Sequence, residues 1–206
     1  MGAVLIACVV AAGVGGGLIA TLGGSRTSAT APNGGQPAAR SPVLVAGTAA
    51  AFRRLATQRS NRCSLKPGEL ESYPPTQRLQ GSCCEAMDHS TYEWQVKALR
   101  RYAFLAPIPR DPYDVPVSLA RQLLHYDSSI HLTRAQGRTY DHAMQMSREH
   151  GPCCCRCWRW NAFRGMSTYL IAHAHWTAPK VALIIDDVEG CGGKDEPPRT
   201  PSLATA

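Results

Sequence analysis

The chain has 206 residues, room for one domain of ordinary size with appendages, and carries 22 Lys and Arg against 15 Asp and Glu, a net charge of +7. The basic side chains are mostly arginines scattered along the sequence, which suits solubility or an acidic surface and supplies no basic block for a phosphate backbone. There is no glycine-rich phosphate loop, no C-x-x-C-H haem attachment and no aromatic-basic RNA-binding stripe, so no nucleic acid partner is expected.

Residues 1–24 are apolar, uncharged and glycine-rich, and long enough to span a bilayer, which takes ~20 apolar residues. They are read as a membrane anchor or signal segment. Leu5-Ile6-Ala7-Cys8 resembles a lipoprotein cleavage box, although the stretch before it is too short for the apolar region of a signal. Arg26, Arg40, Arg53 and Arg54 follow, and the positive-inside tendency would hold them in the cytoplasm. Residues 25–51, rich in Ala, Gly, Pro, Ser and Thr, read as a flexible stalk of the kind that follows the anchor of an exported protein. That favours an extracytoplasmic position at the cell envelope. Residues 194–206 read as a disordered tail, leaving 52–193 as a cysteine-rich folded domain.

Within that domain the periodicity is helical. Ser90-Thr91-Tyr92-Glu93 has a capping-box pattern and opens a first helix, with Trp94, Ala98, Leu99 and Tyr102 at helical spacing, that ends by Pro107. Pro116 suits the first turn of a second helix with Leu119, Leu123 and Leu124 on its apolar face. Thr133 to Gln136 is another capping box, opening a third helix that runs to about Glu149 and stops at Gly151-Pro152. A fourth spans Trp160 to Ala174, with Phe163, Met166 and Leu170 inward. Thr177 caps a fifth, where Val181, Ile184, Ile185 and Val188 fall at i, i+3, i+4 and i+7. A strand over Val181 to Ile185 would find no partner elsewhere. The predicted class is all-α, a small bundle of about five helices.

Cysteine is the unusual feature. Cys153, Cys154, Cys155 and Cys157 crowd one helix connection, and Cys63, Cys83, Cys84 and Cys191 complete eight in the folded part. Neighbouring cysteines do not readily bond to each other, since a relaxed disulfide needs Cα atoms about 4.4–6.8 Å apart with converging Cβ vectors. Each must find a distant cysteine or a soft metal, so the count reads as a disulfide framework in an oxidising compartment or as thiolate ligands in a reducing one. The cysteines lie at helix ends, which a bundle can gather at one pole. Cys83, Cys84, Cys153, Cys154, Cys155 and Cys157 are the primary candidate metal ligands. Arg156, Arg159 and Arg164 would favour thiolate over thiol. His142, Met146 and His150 fall at i, i+4 and i+8 on the third helix and lead into the run, and His89 follows Cys83-Cys84, so these four are additional candidates. Thiolate, thioether and imidazole together favour copper first, with zinc as the alternative.

Other chemistries fit poorly. Fifteen residues separate Cys157 from His173 and one separates His173 from His175, which is not zinc-finger spacing. Cys154-x-x-Cys157 lacks the preceding buried strand of a thioredoxin-like site, leaving a thiol–disulfide oxidoreductase as a minor reading. No hydrolase signature appears, and no catalytic residue is assigned.

Pro152-Cys153-Cys154-Cys155-Arg156-Cys157 has the P-C-x-C-x-C spacing of the PCYCGC-motif proteins, bacterial cysteine-rich lipoproteins, and resembles them there. Cys154 and Arg156 stand where that family has Tyr and Gly. Thr177 to Asp187 is similar to the family's Ser/Thr-initiated helix with isoleucines and acids. The resemblance implies an extracytoplasmic, soft-metal-associated role. The expected function is thus metal capture, storage or transfer, with a disulfide-stapled helical interaction module as the alternative.

Overall fold

The computed structural model describes residues 44–194; the apolar segment 1–24, most of the stalk and nearly all of the tail lie outside the described residues. Among the described residues the chain is mostly helical. Thr48 caps α1 (Ala49–Leu55), its Oγ1 accepting from the Ala51 amide at 3.2 Å. A 3-10 turn (Pro67–Ser72) leads to the short strand β1 (Arg78–Gln80), then α2 (His89–Leu99), β2 (Asp114–Pro116), α3 (Val117–Ser129), α4 (Arg134–Met146), α5 (Trp158–Ala174) and α6 (Ala178–Val188). The strands pair antiparallel, with Leu79 opposite Val115 and an Arg78–Asp114 ion pair of 2.5 Å beside them.

The predicted helices are all present, with shifted ends. In α2 the cap is Asp88, two residues before Ser90: its Oδ1 accepts from the Thr91 amide at 2.9 Å and from the Ser90 hydroxyl at 2.5 Å. The Thr133–Gln136 box of α4 forms as its sequence implies, each side chain accepting from the other's amide. That helix stops at Met146 and not near Glu149, because Ser147 turns extended and its hydroxyl oxygen accepts from the Gly151 amide at 3.2 Å. α5 begins at Trp158, whose amide donates to Leu65 O at 3.0 Å and ties the helix start to a distant loop.

α5 is buried on most of its circumference. Phe163, Met166 and Leu170 join Leu99, Leu123, Val181, Ile184 and Val188 in the main core, while Leu55, Tyr92, Val96 and Tyr113 form a smaller one under α1. The α3–α5 crossing is close because Gly165 has no side chain: a Cβ there would sit 1.9 Å from Leu123 O and 2.7 Å from Asp127 N, both backbone atoms. Gly165→Ala must push the helices apart, and overpacking of this kind costs about 1–3 kcal/mol. The expected result is a lower denaturation midpoint with unchanged cysteine accessibility.

Asp187 on α6 is buried and pairs with the half-exposed Arg101 at 3.2 Å. Burial pushes its carboxyl up to about 6 from 3.8, against the pull of Arg101. The folded state therefore holds the proton more tightly than the unfolded chain. The stability this supplies is fully present below about pH 4 and is lost as pH rises through about 6. Asp187→Asn removes that titration. The stability of the variant relative to the parent should climb between pH 4 and 7, by on the order of 3 kcal/mol at most. Urea titrations across that range read it directly.

Candidate metal centre

Four chain segments converge at the N-terminus of α5: the loop carrying Cys63, the turn Cys83-Cys84 after β1, the run Cys153 to Cys157, and Cys191 after α6. Backbone bonds zip them together. Cys83 N donates to Gly190 O at 3.1 Å, Cys84 N and Glu85 N donate to Cys191 O at 3.0 and 2.7 Å, and Cys63 N donates to Cys83 O at 3.2 Å. Gly192, at φ +91°, permits this, because a Cβ there would lie 2.2 Å from Glu85 O. The buried Asn61 fastens the same junction. Its Nδ2 donates to Gly81 O at 2.8 Å, and its Oδ1 accepts from Trp158 Nε1 at 3.0 Å and Arg159 Nε at 3.3 Å.

The result is one connected body of eight sulfurs. Cys63 Sγ lies 2.6 Å from Cys84 Sγ and 3.3 Å from Cys155 Sγ; Cys84 lies 3.4 Å from Cys154; Cys154 lies 2.8 Å from Cys191, which is 3.6 Å from both Cys83 and Cys153. Cys63, Cys83, Cys84 and Cys155 place all four sulfurs within 4.8 Å of one another, a spacing that can hold a metal ion. Among the described residues no sulfur pair is at the ~2.05 Å of a disulfide bond.

A guanidinium sits beside them. Arg159 is fully buried, and donates to Asn61 Oδ1, to Val188 O at 3.5 Å and to Pro112 O, with its plane over the rings of Trp158 and Phe163. Among the described residues no carboxylate lies within ion-pair distance of it. Burial works against its charge, but Cys83, Cys153, Cys191 and Cys157 more than offset this and raise its pKa. Contacts from Cys157, Cys191 and Cys83 hold the Cys153 thiol well below the usual range. Cys84 is also lowered, since the contacts from Cys63, Cys154 and neighbouring sulfurs outweigh its burial. Burial pushes Cys154 up to about 12. Eight thiols this close cannot all ionise without a cation among them: beside Arg159 the Cys153 thiol is lowered, while Cys83 and Cys191 are raised by their contacts with it.

All six cysteines predicted as ligands meet here, and Cys63 and Cys191 join them. Neither had a neighbouring cysteine or a recognisable spacing to single it out. Of the three arginines, only Arg159 faces the sulfurs; Arg156 stacks on Trp160 at 4.6 Å and Arg164 pairs with Asp127. The histidine candidates are placed otherwise. His89 opens α2 and packs edge-on against Phe52 at 4.8 Å, His142 is exposed on α4 beside a groove shared with His175, and His150 Nδ1 contacts Gln145 O at 3.0 Å. Among the described residues the converging donor groups contain cysteines alone, and Met146 is exposed on the last turn of α4. No protein-family model, curated protein or solved structure matches the chain.

Proposed function

We propose that the domain binds a soft metal ion through thiolates, copper(I) first and zinc second, and serves in metal capture, storage or transfer at the cell envelope. The observation that supports this most is the buried Arg159, which has no carboxylate partner among the described residues, against a body of eight cysteine sulfurs. A buried charge costs several kcal/mol unless compensated. Four disulfides are neutral and would leave the guanidinium with uncharged oxygen acceptors only, whereas metal thiolates are anionic and supply its counter-charge. Among the described residues the converging donor groups hold no oxygen or nitrogen ligand, which makes the set as soft as amino-acid side chains allow and favours Cu(I) over harder ions. Zinc remains the alternative because four thiolates at ~2.3 Å also satisfy its tetrahedral preference. The envelope assignment rests on the apolar segment and stalk and on the PCYCGC-like run.

Thiol counting on the full chain, purified anaerobically without added metal, tests the reading. The eight cysteines of the domain should resist alkylation until a chelator removes the metal, and then all react, with copper or zinc found in stoichiometric amount. Cysteines that stay unreactive after chelation and open only to a reductant would establish the disulfide-stapled module instead.

A further inference from the structure

The sulfurs close enough to share one ion fall into three groups: Cys63, Cys83, Cys84 and Cys155; Cys84, Cys154 and Cys191; and Cys153, Cys154 and Cys155. The groups are not separate. Cys84 belongs to the first and second, Cys154 to the second and third, and Cys155 to the first and third. Every pair of groups therefore has one sulfur in common, and the shared sulfurs close a ring. They also meet one another, Cys84 Sγ lying 3.4 Å from Cys154 Sγ and 4.0 Å from Cys155 Sγ. Cys63, Cys83, Cys153 and Cys191 each belong to a single group, and Cys157, which touches Cys83 and Cys153, belongs to none.

We infer that the centre takes up a polynuclear metal–thiolate cluster of three ions, one in each group, bridged in a ring by Cys84, Cys154 and Cys155. The inference rests on the metal-binding reading above and deepens it, since that reading requires only that some ion be held. Isolated ions in all three groups would compete for the same sulfurs. A single ion in the four-cysteine group would leave the rest crowded, with Cys191 Sγ 2.8 Å from Cys154 Sγ and 3.6 Å from Cys153 Sγ. A thiolate has lone pairs for two ions at once, so bridging lets seven cysteines fill every group. Copper(I) is soft and accepts the three thiolates of each smaller group, where zinc would need one further ligand to complete its tetrahedron. Each ligating thiol gives up its proton, and the ions keep their oxidation state.

Sharing makes the three positions interdependent. An ion in one group fixes and deprotonates a sulfur that each neighbouring group needs, so later ions bind more readily than the first. The bridges are also accessible, Cys84 and Cys154 being exposed and Cys155 half-exposed, whereas Cys153 and Cys191 are buried. A competing thiolate that takes Cys84 or Cys154 off its ions loosens two positions together. The set is gained and lost as a unit.

The full chain, titrated anaerobically with Cu(I) and followed by native mass spectrometry, should pass from empty to three ions per chain, with partly loaded species in the minority throughout. The loaded protein should show copper–copper scattering in X-ray absorption, which thiolate bridging produces and separate ions do not. Cys154→Ser leaves the four-cysteine group whole but only two sulfurs in each of the others, so it should hold one ion and lose the copper–copper signal. Cys63→Ser removes a sulfur that bridges nothing, and should keep three ions and the signal. Saturation of the parent short of three ions, absence of the scattering, or equal metal in Cys154→Ser and the parent overturns the shared-thiolate cluster and leaves thiolate metal binding standing. A chain that takes up neither copper nor zinc fails both.

Discussion

Arg159→Met is expected to strip the centre of most of its metal and to destabilise the domain by about 3–5 kcal/mol, the cost of breaking a buried charge pair from one side. Methionine can follow the path of the arginine stem but brings no charge and no donor. Asn61 Oδ1 would keep Trp158 Nε1 as a donor, whereas Pro112 O and Val188 O would lose the Arg159 donation recorded for them. The larger loss is electrostatic, since Cys83, Cys153, Cys157 and Cys191 would face the interior without a countercation. Arg159→Lys separates charge from shape. It should retain metal with weakened affinity, because an ammonium restores the countercharge but cannot reach the three acceptors that the guanidinium fork spans. Gly190→Ala attacks the same contact from the other side. A Cβ at 190 would lie 2.5 Å from both Nη1 and Nη2, so this variant should resemble Arg159→Met in metal content. Metal analysis and urea midpoints on the three proteins give the answer. Equal metal in Arg159→Met and the parent would remove the guanidinium from the site.

Much of the fold was open to reading because α3 to α6 carry their information locally. Capping residues, proline at a first turn and apolar side chains at i, i+3, i+4 and i+7 all act within one helix. α1 escaped because Ala49–Leu55 is alanine-rich and merges in composition with the preceding stalk; only the packing of Leu55 and Phe52 against Tyr92 reveals its buried face. The three-residue strands exist through pairing across more than thirty intervening residues, which no local pattern encodes. The site divides in the same way. The dense run Cys153 to Cys157 and the pair Cys83-Cys84 announce themselves by spacing, whereas Cys63 and Cys191 are single residues brought in by tertiary hydrogen bonds to Cys83 O and from Cys84 N. His142, Met146 and His150 share a helix face in the sequence reading, but the chain leaves helix geometry at Ser147 and His150 adopts φ +49°. Helical spacing beyond a helix end says nothing about which side chains meet.

Removing the metal should loosen the cysteine pole by several kcal/mol without melting the helices around α5. An ion present at 1,000 times its dissociation constant contributes about 4 kcal/mol by mass action when it binds the folded chain alone, and less to the extent that unfolded cysteines also bind it. That energy is concentrated where the four segments meet, and the remaining bonds there are a handful of amide contacts between loops. By contrast Phe163, Met166, Leu170, Leu123 and Val181 bury their side chains in the main core, to which Cys157 also belongs, and their contacts with one another require no ion. Chelation should therefore raise hydrogen exchange at the amides of Cys63, Cys83, Cys84, Glu85 and Gly193, whose acceptors all lie on partner segments, while the amides of α3 and the second half of α5 stay protected. Acid should act in the same direction, because each ligand must lose a proton to bind and affinity falls as pH drops. Uniform deprotection of the whole domain on chelation would mean that the centre nucleates the fold and does not merely lock one end of it. Unchanged exchange at the five loop amides would mean that the sulfurs hold no ion that the fold depends on.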